Sequence, residues 1–129
     1  MNKHIALAGK GGTGKTTLCA LLVRYLVGRY PGKSILAVDA DANANLNETL
    51  GLEVAETIGT ILEDTKKPGA VPTGMTKDLF VEYRLSRALV ETEAFDLLVM
   101  GNPQGPGCYC YPNDLLKRYF AKHMTDRGR

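Results

Sequence analysis

Residues 9–16 have the types and the spacing that bind a phosphate group. They read Gly-Lys-Gly-Gly-Thr-Gly-Lys-Thr, which fits the pattern Gly-x-x-x-x-Gly-Lys-Ser/Thr at every specified position. Glycines let the backbone wrap around phosphate oxygens, and a following helix presents its N-terminal N–H groups to the same anion. Lys15 would bridge the β- and γ-phosphates, and Thr16 would place its hydroxyl on Mg²⁺. The segment therefore predicts a site for ATP or ADP with magnesium, formed by Gly11, Gly12, Thr13, Gly14, Lys15, Thr16 and Thr17.

Two carboxylates, Asp39 and Asp41, follow a short apolar run at residues 34–38. In an open α/β sheet, ligands bind beyond the carboxyl ends of the strands. Because side chains alternate along a strand, both carboxylates could face the phosphate loop. A carboxylate near the γ-phosphate accepts a proton or positions the attacking water. The alternative is a solvated acidic turn at the end of a strand.

Cys108 and Cys110 are separated by one residue. On an extended segment both sulfurs would project to one side and could serve one metal site. Two thiolates do not complete a tetrahedral or square-planar site, but a symmetric dimer would supply four. Thiolates suit zinc, Ni(II) or Cu(I), and the sequence does not choose among these metals; a pair of inert cysteines is the alternative. Cys19 lies in an apolar helical pattern and is predicted to be a small core residue.

The elements that must position these residues follow from the apolar pattern. Residues 4–8 predict a buried strand before the phosphate loop, and residues 16–29 have apolar side chains at helical spacing. Residues 34–38 predict a second buried strand that ends at Asp39. Strand, glycine loop, helix and strand together form a βαβ unit, which implies parallel strands and a right-handed crossover.

The second part of the chain continues this alternation of helices and strands. A final helix would begin with Asn113 as its N-cap and would present one apolar face. That face consists of Leu115, Leu116, Tyr119 and Phe120. The other predicted elements are a short helix at 45–50 that Gly51 stops, a surface loop at 65–74, a helix at about 76–91 and a strand at 95–100. The pattern indicates an α/β fold.

The composition is that of an ordinary globular chain and argues against several classes of function. The 129 residues include 44% hydrophobic and 23% charged residues with a net charge of +2, which predicts one domain. Neither charge forms a long block, and the longest apolar run, residues 18–23, is too short to cross a bilayer. Three cysteines do not make an oxidised framework. We therefore expect a cytoplasmic protein with reduced thiols and without a nucleic-acid or membrane partner.

Lys10, between two glycines of the phosphate loop, adds a resemblance to a known group. It is similar to the signature lysine of the deviant Walker A ATPases, which include MinD, ParA, the nitrogenase iron protein and metal-insertion ATPases. The resemblance implies that Lys10 reaches across a dimer to the partner's nucleotide; an exposed loop lysine is the alternative. It also implies that Asp41 orients the attacking water and that Asp39 supports Mg²⁺ or its water shell. The implied catalytic residues are Lys10, Lys15 and Asp41.

Three segments resemble the CooC-type ATPases, which are accessory proteins for nickel insertion into carbon monoxide dehydrogenase. They are GKGGTGKTT at 9–17, VDADANANL at 38–46 and FDLLVMGNPQGPGCYCYPNDLL at 95–116. The third discriminates, because MinD and ParA proteins lack the Cys-x-Cys pair. The resemblance implies a P-loop NTPase-like three-layer α/β/α fold with a mostly parallel sheet. It also implies an ATP-hydrolysing homodimer in which Cys108 and Cys110 hold nickel or zinc for delivery to the dehydrogenase.

The chain departs from this family in its extent. CooC-type ATPases are considerably longer, and they continue with a strand that ends in the switch II aspartate and with a base-recognition segment. Residues 1–129 are therefore interpreted as the N-terminal part of a single, apparently truncated P-loop ATPase domain, and the activity of this part is left open. Three alternatives remain: a MinD/ParA-type positioning ATPase, an iron–sulfur reductase, and a truncated non-catalytic nucleotide-binding remnant.

Overall fold

The computed structural model describes residues 3–43, 45–102 and 110–126, with the side chains of the last helix described for 114–122. The helices and strands within these residues are α1 (Lys15–Arg29), β1 (Leu36–Asp39), α2 (Leu46–Thr49), α3 (Ile58–Asp64), α4 (Lys77–Ala88), β2 (Val90–Glu91), β3 (Asp96–Val99) and α5 (Cys110–Asp126). Helices and strands are interspersed along the chain, so the predicted α/β class is confirmed in its coarse form.

The sheet of the described residues has the order β1–β3–β2. β1 and β3 are parallel, with Leu36 opposite Asp96 and Asp39 opposite Val99. β2 pairs with β3 in the antiparallel direction, so the sheet is mixed. All four residues of β3 are buried, as expected for a central strand that is covered on both faces.

The side chains on opposite faces of β3, and that of Met100 directly after it, pack into two separate apolar clusters. Leu97 and Val99 pack with residues of α1, β1 and α2. Leu98 and Met100 pack with residues of α3, α4 and α5, including Ile61. The final helix contributes its predicted apolar face to this second cluster, through Leu115, Leu116, Tyr119 and Phe120. Helices therefore cover β3 from both sides.

Polar contacts fix α3 against its neighbours. The Gly59 N–H donates to the Met100 carbonyl at 2.8 Å, which joins the start of α3 to the end of β3. Gly101 has φ +66°, and a Cβ at this position would lie 2.5 Å from the Thr57 hydroxyl. Only glycine fits this close approach without strain. Gly101, just after β3, therefore lies against the N-cap residue of α3.

Arg84 links α4 to both ends of α3. Its Nη2 donates to Glu56 Oε1 at 2.7 Å and to Asp64 Oδ2 at 3.1 Å. The hydrogen bonds that Arg84 donates to Glu56 raise the pKa of the Arg84 guanidinium above its ordinary value. The Lys67 ammonium, followed by Arg84, lowers the pKa of the Asp64 carboxyl.

Three sequence-based expectations about elements were wrong. Residues 4–8 form no strand, and Ile5 and Leu7 are 60% and 38% exposed. A strand needs a neighbour for its N–H and C=O groups, and the paired strands of the described residues are β1, β3 and β2 alone. The parallel pair is therefore β1 with β3 and does not include residues 4–8. The final helix begins at Cys110, which places Asn113 inside it and not at its N-cap.

The second half of the chain also differs in detail. The helix predicted at about 76–91 ends at Ala88, because Val90 and Glu91 pair with β3 as β2. Helix α3 was not predicted, although Thr57 caps it by accepting a hydrogen bond from the Thr60 N–H. The predicted short helix, the loop at 65–74 and the strand at 95–100 are confirmed as α2, an irregular connection and β3.

Candidate nucleotide-binding site

The phosphate loop leads directly into α1. Gly12 and Gly14 have φ of +78° and +87°, in the left-handed region that favours glycine. Gly14 stands at the N-cap position of α1, where no side chain caps the helix. A Cβ added at Gly11, Gly12 or Gly14 would meet nothing within 4 Å. The backbone of the loop is therefore open to a ligand, and the first N–H groups of α1 are not taken by a side-chain cap.

Lys15 folds back over the loop in this structure. Its Nζ donates to the Gly9 carbonyl at 2.6 Å and lies 3.9 Å from Asp41 Oδ2. The Thr13 hydroxyl donates to the Lys10 carbonyl at 2.7 Å, which closes the middle of the loop. The ammonium that would contact phosphate oxygens is thus held at the mouth of the loop by two oxygen atoms.

Asp39 organises the segment that follows β1. The residue is only 8% exposed. Oδ1 accepts a hydrogen bond from the Asp41 N–H at 3.1 Å, and Oδ2 accepts one from the Leu46 N–H at 3.0 Å. Both carboxylate oxygens therefore bind backbone amides of the loop between β1 and α2. The predicted role of Asp39 toward Mg²⁺ stays a prediction, and it has to be compatible with these two hydrogen bonds.

Asp41 is the carboxylate that reaches the phosphate loop. Its side chain is half exposed; Oδ1 accepts a hydrogen bond from the Asn43 N–H at 3.0 Å, while Oδ2 faces Lys15. The two aspartates therefore differ in environment, although the sequence places them only two residues apart. An exposed ion pair of this length contributes at most about 1 kcal/mol to stability. Asp41 and Lys15 are accordingly free to exchange partners when a ligand arrives.

Thr16 connects α1 to the same loop. Its hydroxyl donates to Asn45 Oδ1 at 2.9 Å, across 29 residues of sequence. Sequence reasoning did not single out Asn45. In the sequence, Asn45 is noticeable only as the residue just before the short helix α2. An asparagine at that position commonly caps the helix with its side chain.

Cys19 lies one helical turn beyond Thr16, on the face of α1 that packs against the sheet. It is half buried and contacts the cluster of α1, β1 and α2. Burial raises the pKa of the Cys19 thiol, and the nearby Asp39 carboxylate raises it further. The prediction of a small core residue is confirmed in part, because Cys19 packs against this cluster but is only partly buried.

The oxygen atoms of the site suit a magnesium ion. Mg²⁺ is usually bound by one or two protein oxygens together with phosphate oxygens and waters. Within the described residues, no group of three or more His, Cys, Asp and Glu side chains is arranged to hold a metal ion. The Thr16 hydroxyl, beside a loop open to phosphates, fits the usual arrangement. When bound, the ion would neutralise charge on the phosphates.

Four predicted site residues remain: Lys10, Thr17, Cys108 and Cys110. Thr17 lies in the first turn of α1 and is exposed, as is Lys10 in the loop. Cys108 lies outside the described residues. Cys110 is the first residue of α5, where an extended segment was predicted, and its side chain is not described. The structure therefore brings together the phosphate loop, Asp39 and Asp41, while the metal ligation predicted for the two cysteines stays a prediction.

None of the helices that the structure describes combines the length and the apolar character needed to cross a bilayer.

Comparison with known proteins places these features in context. The chain is 48% identical over 125 residues to an uncharacterized ATP-binding protein of Methanocaldococcus jannaschii, a match that covers 95% of this chain and 49% of the relative. It is 33% identical over 137 residues to the carbon monoxide dehydrogenase accessory protein CooC of Rhodospirillum rubrum, covering 97% of this chain and 51% of the relative. The chain thus spans about half the length of these curated relatives.

A shorter similarity is to a protein with a different role in its name. The chain is 44% identical over 57 residues to the maintenance of carboxysome distribution protein A of Synechococcus elongatus, covering 44% of this chain and 22% of the relative. No solved structure gave a significant match. The family model of the CobQ/CobB/MinD/ParA nucleotide binding domain matches residues 4–122, which include the phosphate loop and both aspartates. With this match over nearly its whole length, the chain belongs to the CobQ/CobB/MinD/ParA family of nucleotide-binding domains.

Proposed function

We propose that this chain is the N-terminal part of a single ATPase domain that couples ATP hydrolysis to metal insertion into carbon monoxide dehydrogenase. The observation that carries the proposal is the similarity to CooC over 97% of this chain together with the Cys-Tyr-Cys sequence at 108–110. The metal would be nickel or zinc, and carbon monoxide dehydrogenase would receive it. A cytoplasmic location and the three-layer α/β/α arrangement belong to the same proposal.

The nucleotide half of the cycle is supported by the geometry of Lys15 and Asp41. Lys15 would leave the Gly9 carbonyl and bind the β- and γ-phosphates, which frees Asp41 from its ion pair. Asp41 would then face the water that attacks the γ-phosphate. Thr16 would hold Mg²⁺, with Asp39 near its water shell. Lys10, which is exposed, would contact the nucleotide of a second protomer.

The metal half of the cycle rests on symmetry. Cys108 and Cys110 supply two thiolates, and a homodimer would supply four, which completes a tetrahedral or square-planar site. ATP would have to bind the closed dimer more tightly than the open form, since only a difference in affinity shifts such an equilibrium. Hydrolysis would then reopen the dimer and release the metal.

Metal analysis and light scattering of anaerobically purified protein, with and without Mg·ATP, test this proposal. We expect about half an equivalent of nickel or zinc per chain, because one site is shared by two protomers. The double substitution Cys108→Ser with Cys110→Ser should abolish metal binding and leave nucleotide binding intact. Cys19→Ser is the matched control, and it should retain the metal. Unchanged metal content in the double variant would contradict the proposal.

A positioning ATPase is the second candidate, favoured by the similarity to the carboxysome distribution protein over 57 residues. This candidate predicts that the protein sediments with DNA or with anionic liposomes in the presence of Mg·ATP. If the protein contains no metal and sediments in this way, a positioning function replaces metal insertion as the proposal. A metal-free monomer that does not respond to ATP would instead indicate a non-catalytic remnant.

A further inference from the structure

The side chain of Asn45 contacts the phosphate loop and does not cap the helix that follows it. It occupies the N-cap position of α2, yet its side chain caps no N–H group of that helix. An asparagine at an N-cap usually accepts a hydrogen bond from an N–H one turn later. Here the side-chain carbonyl accepts the hydroxyl proton of Thr16 at 2.9 Å. This contact links the nucleotide end of α1 to the loop after β1.

The backbone around Asn45 is held in place from both sides. Its carbonyl accepts hydrogen bonds from the Thr49 N–H and the Thr49 hydroxyl, each at 3.3 Å. The next residue, Leu46, is 3% exposed, and its N–H donates to the buried Asp39 carboxylate. Asn45 is therefore anchored by Asp39, by the packing of Leu46 and by the first turn of α2. Its side chain approaches Thr16 from a fixed position.

The direction of the hydrogen bond determines what Thr16 can do. A threonine hydroxyl has one proton to donate and two lone pairs. Because Asn45 Oδ1 accepts the proton, the lone pairs of the Thr16 oxygen are left for a cation. A hydroxyl without this acceptor would rotate among several partners, and its proton would compete for the position of the metal. An acceptor for the proton also increases the electron density on the oxygen.

We infer that Asn45 is a positioning residue for magnesium: its side-chain carbonyl orients the Thr16 hydroxyl so that the oxygen atom faces the metal of a Mg·nucleotide complex. The inference rests on the nucleotide-binding part of the proposed function and is independent of the metal-insertion part. Asp39 acts in the same chain of contacts, because its carboxylate fixes the amide of Leu46 and thereby the place of Asn45.

The test compares the affinity for a fluorescent ADP analogue in Mg²⁺ with the affinity in EDTA. Asn45→Ala should weaken binding in Mg²⁺ by about three- to tenfold, the range that one hydrogen bond contributes, and leave binding in EDTA unchanged. Asn43→Ala is the matched control: Asn43 lies exposed in the same loop, and the variant should bind as the unsubstituted protein does in both conditions. Asn45→Asp retains an acceptor oxygen and should keep the dependence on Mg²⁺.

The possible outcomes separate the inference from the proposed function. If Asn45→Ala loses the same affinity in Mg²⁺ and in EDTA, the role of Asn45 is merely structural. If Asn45→Ala binds the nucleotide more tightly than the unsubstituted protein in Mg²⁺, Asn45 competes with the metal. Either result overturns the inference. A loss in Asn45→Asp as large as in Asn45→Ala also overturns it. If the unsubstituted chain fails to bind nucleotide in both conditions, the proposed function fails and the inference fails with it. Thermal unfolding of each variant verifies that it is folded.

Discussion

The two ends of this molecule are held together by different forces. Around α3, α4 and β3 the side chains of Ile58, Ile61, Val81 and Leu85 are completely buried. At the nucleotide end, Ile5 and Leu18 are more than half exposed, and the geometry is defined by hydrogen bonds that Lys15 and Thr16 donate and that Asp39 accepts. The region around α3 and α4 has the larger of the two buried clusters, whereas ligand binding depends on polar contacts that can be exchanged. Substitutions in the two regions should have separable effects.

Leu85→Ala is expected to cause the largest change. Leu85 lies on α4 and is fully buried in the cluster with α3 and β3, so its truncation removes apolar contacts and leaves a cavity. We expect the free energy of unfolding to fall by about 2–5 kcal/mol, as measured by urea denaturation. Leu21→Ala, on the exposed face of α1, is the control and should change stability by less than about 0.5 kcal/mol. Equal losses in both variants would refute the contrast between the two ends.

Lys15→Ala should affect binding more than folding. It removes the ammonium that is proposed to contact the phosphates, and we expect the binding free energy of Mg·ADP to weaken by roughly 1.5–3 kcal/mol, measured by isothermal titration calorimetry. The free energy of unfolding without nucleotide should change by less than about 1 kcal/mol, because the ion pair with Asp41 is exposed. Lys33→Ala, at an exposed lysine outside the loop, should bind normally. Undiminished binding by Lys15→Ala would disprove the assignment of the site.

Asp39→Ala should affect both the stability of the fold and the order of the loop beside the nucleotide site. The substitution leaves the N–H groups of Asp41 and Leu46 without their acceptors, so the loop after β1 loses its anchor. We expect a loss of about 1–3 kcal/mol in unfolding free energy, together with faster amide hydrogen exchange in residues 41–46. Glu53→Ala, at an exposed carboxylate, is the comparison. Unchanged exchange in this loop would mean that Asp39 does not organise it.

Asp64→Asn should have the smallest effect, and only its pH dependence is diagnostic. Hydrogen bonds from Lys67 and Arg84 lower the pKa of the Asp64 carboxyl below its ordinary value of 3.8. A group with a lowered pKa in the folded state contributes stability above its ordinary pKa, and this contribution is lost as the pH falls through the folded value. The variant should therefore lose less stability than the unsubstituted protein between about pH 4 and pH 2. If the unfolding free energies of the two proteins change in parallel over this pH range, protonation of Asp64 is not linked to stability.

Much of the local structure could be predicted because its causes lie within a few residues. The phosphate loop and α1 follow from glycines and helical spacing, and β1 and β3 follow from short apolar runs beside turn residues. The interior of the site was less predictable. Asp39 and Asp41 look equivalent in the sequence, yet the first binds loop amides in a buried position and the second faces Lys15 at the surface.

The sequence by itself determined the phosphate loop, the helix that follows it and the candidate ligands of nucleotide and magnesium, because each depends on residue types at fixed local spacing. Only the tertiary structure decided that residues 4–8 stay unpaired among the described strands, that β2 joins β3 in the opposite direction, and that Asn45 meets Thr16. These outcomes depend on which distant segments share hydrogen bonds and buried apolar surface, and the spacing of neighbouring residues carries no record of that choice.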